Sequence, residues 1–210
     1  MSQLKLTADS GGGTVAIKGP ASTTGNGAIE LTVPGTGNAT LATTSDSFGK
    51  ILQVKNFVYK NNASTTSSSG SFVATPLTLS ITPTAANSKI YINYNIIVSG
   101  AAHTRNGHAV YRDINSGGFA IVDDFRHVVN GSNPRLSGLS NSTTGTQTFH
   151  CSNSFLDSPS YSLGNAISYK IYNWSEGNGV IWINRVNNND SSSANYGVGV
   201  STMTLMEIAA

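Results

Sequence analysis

From Phe48 onward, apolar and polar residues alternate in short runs separated by Gly, Pro, Asn and Ser. That period of two is the signature of half-buried strands. The clearest run is Lys89–Val98, in which Ile90, Ile92, Tyr94, Ile96 and Val98 fall on one face. Leu77, Leu79 and Ile81 alternate in the same way between Pro76 and Pro83. Gly49–Val54 opens the region, and Val110–Ile114 and Phe119–Val122 flank Ser116-Gly117-Gly118, a hairpin signal. Further strands are predicted at Ile167–Tyr172, at Val180–Asn184 after a Gly177-Asn178-Gly179 turn, and at Thr202–Ile208. No stretch places apolar residues at helical spacing over three turns. The pattern predicts an all-β domain of about eight strands, the count of a two-sheet antiparallel jelly-roll β-sandwich.

Residues 1–47 differ: all Phe, Tyr and Trp lie at Phe48 or later. Without aromatic side chains a segment rarely builds its own core. It nevertheless carries alternating pairs, Leu4/Leu6, Val15/Ile17 and Ile29/Leu31/Val33. Gly11-Gly12-Gly13-Thr14-Val15-Ala16-Ile17 resembles Gly25-Asn26-Gly27-Ala28-Ile29-Glu30-Leu31, offset by 14 residues, and Pro20 and Pro34 follow the two copies. A short strand-and-turn repeat cannot bury its apolar stripe alone. Three chains around a common axis would supply the missing partners. The expectation is a Gly-rich β-stem over 1–47, serving attachment, and a knob over 48–210. The glycine turns lack the Lys-Ser/Thr and following helix of a phosphate-binding loop.

Composition narrows the partners. Only 10% of residues are charged and the net charge is +2. No cluster of Lys and Arg provides the footprint that nucleic acid rewards. A single cysteine, Cys151, excludes an intramolecular disulfide and reads as a small buried residue. The first residues carry no apolar h-region, and no apolar run approaches the ~20 residues of a membrane span. The expected partners therefore exclude nucleic acid and membrane insertion.

Several short motifs stand out along the chain. They are Ser88-Lys89-Ile90-Tyr91-Ile92 after a Thr/Pro-rich segment, and Phe155-Leu156-Asp157-Ser158-Pro159 followed by Ser168-Tyr169-Lys170-Ile171. Ile181-Trp182-Ile183-Asn184-Arg185 and the terminal Met206-Glu207-Ile208 complete the series, and together these motifs resemble the β-knob virion proteins of marine, cyanophage-like tailed phages. The Leu-x-Leu and Gly-rich leader resembles that of the same proteins. The resemblance implies a homotrimer with a TNF/C1q-like jelly-roll head on a narrow stem, located on the virion and attached to other virion proteins. Residues 101–148 match none of these motifs, and loops carried on a scaffold are where function diversifies.

Candidate chemistry is sparse. His103 and His108 have a spacing that would suit two ligands of a metal site, but a zinc site needs three or four ligands, and the pair reads better as exposed or interfacial. Asp123 and Asp124, read as strand neighbours, would diverge and make a poor acid/base pair. No Gly-x-Ser-x-Gly elbow supports a serine hydrolase, and His150 beside Cys151 diverges on a strand. The Asn-x-Ser/Thr triplets follow from composition. Exposed aromatic and amide side chains can bind carbohydrate. Tyr161, Trp174 and Trp182 are candidates, with Trp182 better placed in the core.

The expectation is thus a non-enzymatic virion protein with no cofactor and no metal. Receptor-contact candidates are His103, Arg105, His108, Tyr161 and Trp174. Stem candidates are Leu4, Leu6, Val15, Ile17, Ile29, Leu31 and Val33. The ligand would be a host surface glycan or protein; the alternative is a capsid decoration or head fibre without receptor recognition.

Overall fold

The computed structural model describes residues 3–7, 14–18, 50–68, 70–100, 104–128, 136–142, 147–176, 179–186 and 199–210. The chain divides into two compact units, Met1–Thr43 and Thr44–Ala210. In the first, β1 (Gln3–Thr7) pairs antiparallel with β2 (Thr14–Lys18), placing Leu4 opposite Ile17 and Leu6 opposite Val15. Ile29, Leu31 and Val33 lie outside the described residues, as does His103.

The second unit is a sandwich of two antiparallel sheets. Its described strands are β3 (Ile51–Tyr59), β4 (Ala63–Thr66), β5 (Phe72–Ile81), β6 (Lys89–Gly100), β7 (Thr104–Ile114) and β8 (Ala120–Ile121). They continue as β9 (Gly138–Ser142), β10 (Phe149–Asp157), β11 (Ile167–Ser175), β12 (Val180–Ile183) and β13 (Ser201–Ile208). Along one edge of β6 runs β10; along the other, β13 covers residues 89–95 and β12 covers 98–100. β3 and β4 then flank β13 and β12. The second sheet runs β5-β11-β7, with β8 and β9 sharing the far edge of β7. Eleven described strands therefore occupy eight lateral positions, four in each sheet.

Period two explains what holds the sheets together. Ile90, Ile92, Tyr94 and Ile96 of β6 all turn inward, with no exposed surface. Facing them are Leu77 and Ile81 of β5 and Ile167, Tyr169 and Ile171 of β11. Met203 and Leu205 of β13 and Ile181 and Ile183 of β12 close the same core. Each fully buried aliphatic side chain contributes about 1.5–3 kcal/mol relative to leaving it in water. Cys151 is buried here, and burial pushes its thiol up to about 11.

Local structure adds detail to these expectations. The hairpin between β7 and β8 turns on Asn115 and Ser116, both at positive φ (53° and 60°), just before the Gly pair. Asp113 braces it by accepting the Gly118 N–H at 3.0 Å. Asp123 and Asp124 are not strand neighbours; they begin a short 3₁₀ turn, Asp123–Phe125, that drives Phe125 into the core against Phe155 (ring centroids 4.4 Å apart). Finally, β11 and β12 are consecutive strands that do not pair with each other. β11 lies in one sheet and β12 in the other, because β12 pairs with β4 and β6. Trp182 is only half-buried, since Ile181 and Ile183 take the inward positions of that strand.

Candidate functional site

β11 alternates Tyr169 and Ile171 inward with Lys170, Tyr172 and Trp174 outward, and those outward residues organise the outer face of the five-stranded sheet. Tyr172 stacks on Tyr111 of β7 with centroids 3.8 Å apart and planes 22° from parallel. Phe72 lies 5.9 Å from Tyr111, Phe119 lies 6.2 Å from Tyr172, and the Lys170 ammonium sits 4.5 Å from the Phe119 centroid. Burial raises the pKa of both stacked phenols. For Tyr111 the neighbouring Tyr172 adds to the rise while Arg126 opposes it; for Tyr172 the Asp113 carboxylate adds to it.

Beside this aromatic strip is a cavity of about 910 Å³. Gly107 makes room for one wall: a Cβ there would lie 2.5 Å from Leu136 Cδ1 and 2.8 Å from the Gly138 carbonyl. Leu136 is held in turn by its carbonyl, which accepts the His127 N–H at 3.2 Å, and by Ser137 N–H, which donates to the His108 carbonyl at 2.8 Å. Trp174, opposite Gly107 across the β11–β7 ladder, contributes another wall. One edge of its indole lies against Gly70, where a Cβ would approach Nε1 to 3.3 Å. At the mouth Arg105 meets Glu176 at 3.5 Å, both well exposed, and Glu176 N–H donates to the Arg105 carbonyl at 2.8 Å. Arg126 is ion-paired with Asp123. Phe125, Phe155 and Leu139 add apolar lining.

Two of the sequence candidates, Arg105 and Trp174, therefore line one cavity. Trp174 is only 7% exposed, so it serves as a wall rather than a projecting platform. His108 points inward and is 2% exposed, not a surface residue. Its Nε2 lies 2.9 Å from the Tyr94 hydroxyl, which also accepts from Asn153 Nδ2 at 3.3 Å. Burial lowers the His108 pKa to about 4 and keeps the ring neutral. Tyr161 has a bracing position: its hydroxyl donates to the Ala85 carbonyl at 2.7 Å and accepts the Ser88 N–H at 2.9 Å. Among the described residues, no three His, Cys, Asp or Glu side chains assemble into a group that could hold a metal ion.

Sequence reading missed Phe125, Leu136, Leu139 and Glu176 as cavity residues and Tyr111 and Tyr172 as a stacked pair. The alternation Lys170/Tyr172/Trp174 was a usable signal, because it puts two aromatic residues on the face opposite Ile167, Tyr169 and Ile171. Nothing local marks Leu136, which reaches the site from a long connection.

No protein-family model and no curated protein matches the chain.

Proposed function

We propose that the chain is a non-enzymatic phage virion protein: a trimeric fibre whose jelly-roll knob projects from the particle and contacts the host surface. The motifs that resemble phage knob proteins carry this reading, and one observation supports it: their residues bond to one another as buried ties of the sandwich. Ser88 and Glu207 form one tie, Asp157 and Tyr169 another. The strand order supports the jelly-roll assignment. In chain order, the strand positions alternate between the two sheets at every step except that from β7 to β8 and β9.

Self-association is supported by the outer face of the sheet containing β6. Three successive cross-strand rows read Val54-Met206-Tyr91-Leu156, Asn56-Thr204-Asn93-Ser154 and Val58-Thr202-Asn95-Ser152. None of these twelve residues is charged, and Val54 and Leu156 are each more than half exposed. Depletion of charge is the compositional mark of an interface core. The stem residues Leu4, Leu6, Val15 and Ile17 fit an attachment role through strand pairing with further copies.

Imaging particles by electron microscopy with an antibody against the knob tests the proposal. Label at the tail supports host contact. Label over the head makes the protein a decoration or head fibre, and absence of label from every particle overturns the virion reading.

A further inference from the structure

We infer that the cavity lined by Leu136, Trp174, Arg105 and Glu176 binds a neutral oligosaccharide, the ligand through which the knob would contact a host surface. The inference rests on the virion reading only for that biological role; the chemistry stands on the cavity. At about 910 Å³ it lies within the range of pockets that enclose drug-sized ligands, so a short oligosaccharide fits. Its apolar walls, Trp174, Leu136 and Phe125, suit the C–H faces of a pyranose ring.

Charge selects the ligand further. Arg105 is balanced by Glu176, and Arg126 by Asp123, so the cations at this site already have carboxylate partners. A ligand carboxylate would have to displace one of them. A hydroxyl group need not: it donates to Glu176 and accepts from Arg105, using both ends of the pair while leaving it intact. Paired, oppositely charged groups above apolar walls thus match a polyhydroxylated, uncharged molecule. The aromatic strip continues outward from the cavity through Tyr172 and Tyr111, giving a longer glycan further rings to stack on.

The test is saturation-transfer NMR on the full chain. The probes are a panel of neutral di- to tetrasaccharides of glucose, galactose, mannose and N-acetylglucosamine, with uronate- and sialate-bearing oligosaccharides as the comparison set. Tryptophan fluorescence is read alongside. The expected result is binding of at least one neutral member at millimolar concentration, with a fluorescence change from Trp174. Because the Arg105 and Glu176 side chains are largely exposed, Arg105→Ala and Glu176→Gln keep the fold, checked by thermal melting. Each is expected to weaken binding about tenfold. Binding by no neutral member, by the acidic set alone, or at full strength in both variants overturns the inference. Tail label on particles alongside such a failure would leave the virion reading standing. Saccharide binding by a protein that labels no particle would do the reverse.

Discussion

Ser88 Oγ donates a hydrogen bond of 2.8 Å to Oε1 of Glu207, joining residues 119 positions apart in the chain. The carboxylate is fully buried and accepts further bonds from Gln53 Nε2, Thr84 Oγ1 and the backbone N–H groups of Thr84 and Ala85. Burial alone would raise its pKa. The bonds from Gln53, Thr84, Ala85 and Ser88 outweigh that and hold it below the ordinary value. Glu207 thereby pins the connection between β5 and β6 to the last strand.

Glu207→Ala takes this acceptor from the buried Ser88 hydroxyl and from the partly buried N–H groups of Thr84 and Ala85. Hydrogen bonds to a charged group are worth about 1.5–3 kcal/mol, and stranded donors add a desolvation cost. The expected loss of stability is about 3 kcal/mol or more in urea denaturation. In the native protein the folded pKa is depressed, so this contribution is present above the unfolded pKa of about 4.5 and disappears as pH falls through the lower folded value.

His108 sets a second acid transition at higher pH. Burial holds its folded pKa at about 4, below the ordinary histidine value of 6.5. As pH drops below about 6.5 the unfolded chain takes up the proton first, so stability declines until about pH 4. At about 1.4 kcal/mol per unit, the total approaches about 3 kcal/mol. Denaturation midpoints followed from pH 7 to 4 should show this slope, and His108→Gln should flatten it.

The Asp157 carboxylate accepts two bonds from Arg112 Nη1, at 2.6 and 2.7 Å, and one from the Tyr169 hydroxyl at 2.6 Å. Asp157 is 4% exposed. Asp157→Ala strands the partly buried Arg112 charge and is expected to cost about 3–5 kcal/mol, against about 1.5–3 kcal/mol for Tyr169→Phe. A double-mutant cycle on denaturation free energies would show strong non-additivity.

Gly107→Ala places a methyl against Leu136 Cδ1 and the Gly138 carbonyl. The side chain can shift but the β9 backbone cannot do so freely. An overpacking cost of about 1–3 kcal/mol is expected in thermal or urea unfolding, together with altered saccharide binding at the cavity.

The proposed trimer is tested by Met206→Lys, which puts a charge in the middle of the uncharged rows on the outer face of β13. Sedimentation of the wild-type chain at micromolar concentration should give three times the monomer mass, and that of the variant a monomer. A monomeric wild type would overturn the trimer.

Much of the sandwich was legible because a strand's two faces are written in its period: Ile90, Ile92, Tyr94, Ile96 and Val98 are buried as their alternation requires. Turn chemistry also announced the β7–β8 hairpin, to within two residues. Sequence by itself thus determined eight of the described strands of the second unit, their inward faces and the burial of Cys151, but not β4, β9 or β10, whose Ser- and Asn-rich runs carry no clear alternation. Tertiary structure decided which sheet each strand joins. It alone separated β11 from β12, because pairing partners come from distant strands with no local mark. The cavity belongs to that second category. Gly107 and Leu136 are ordinary residues until β9 packs beside β7, when the missing Cβ of one becomes the space filled by the other.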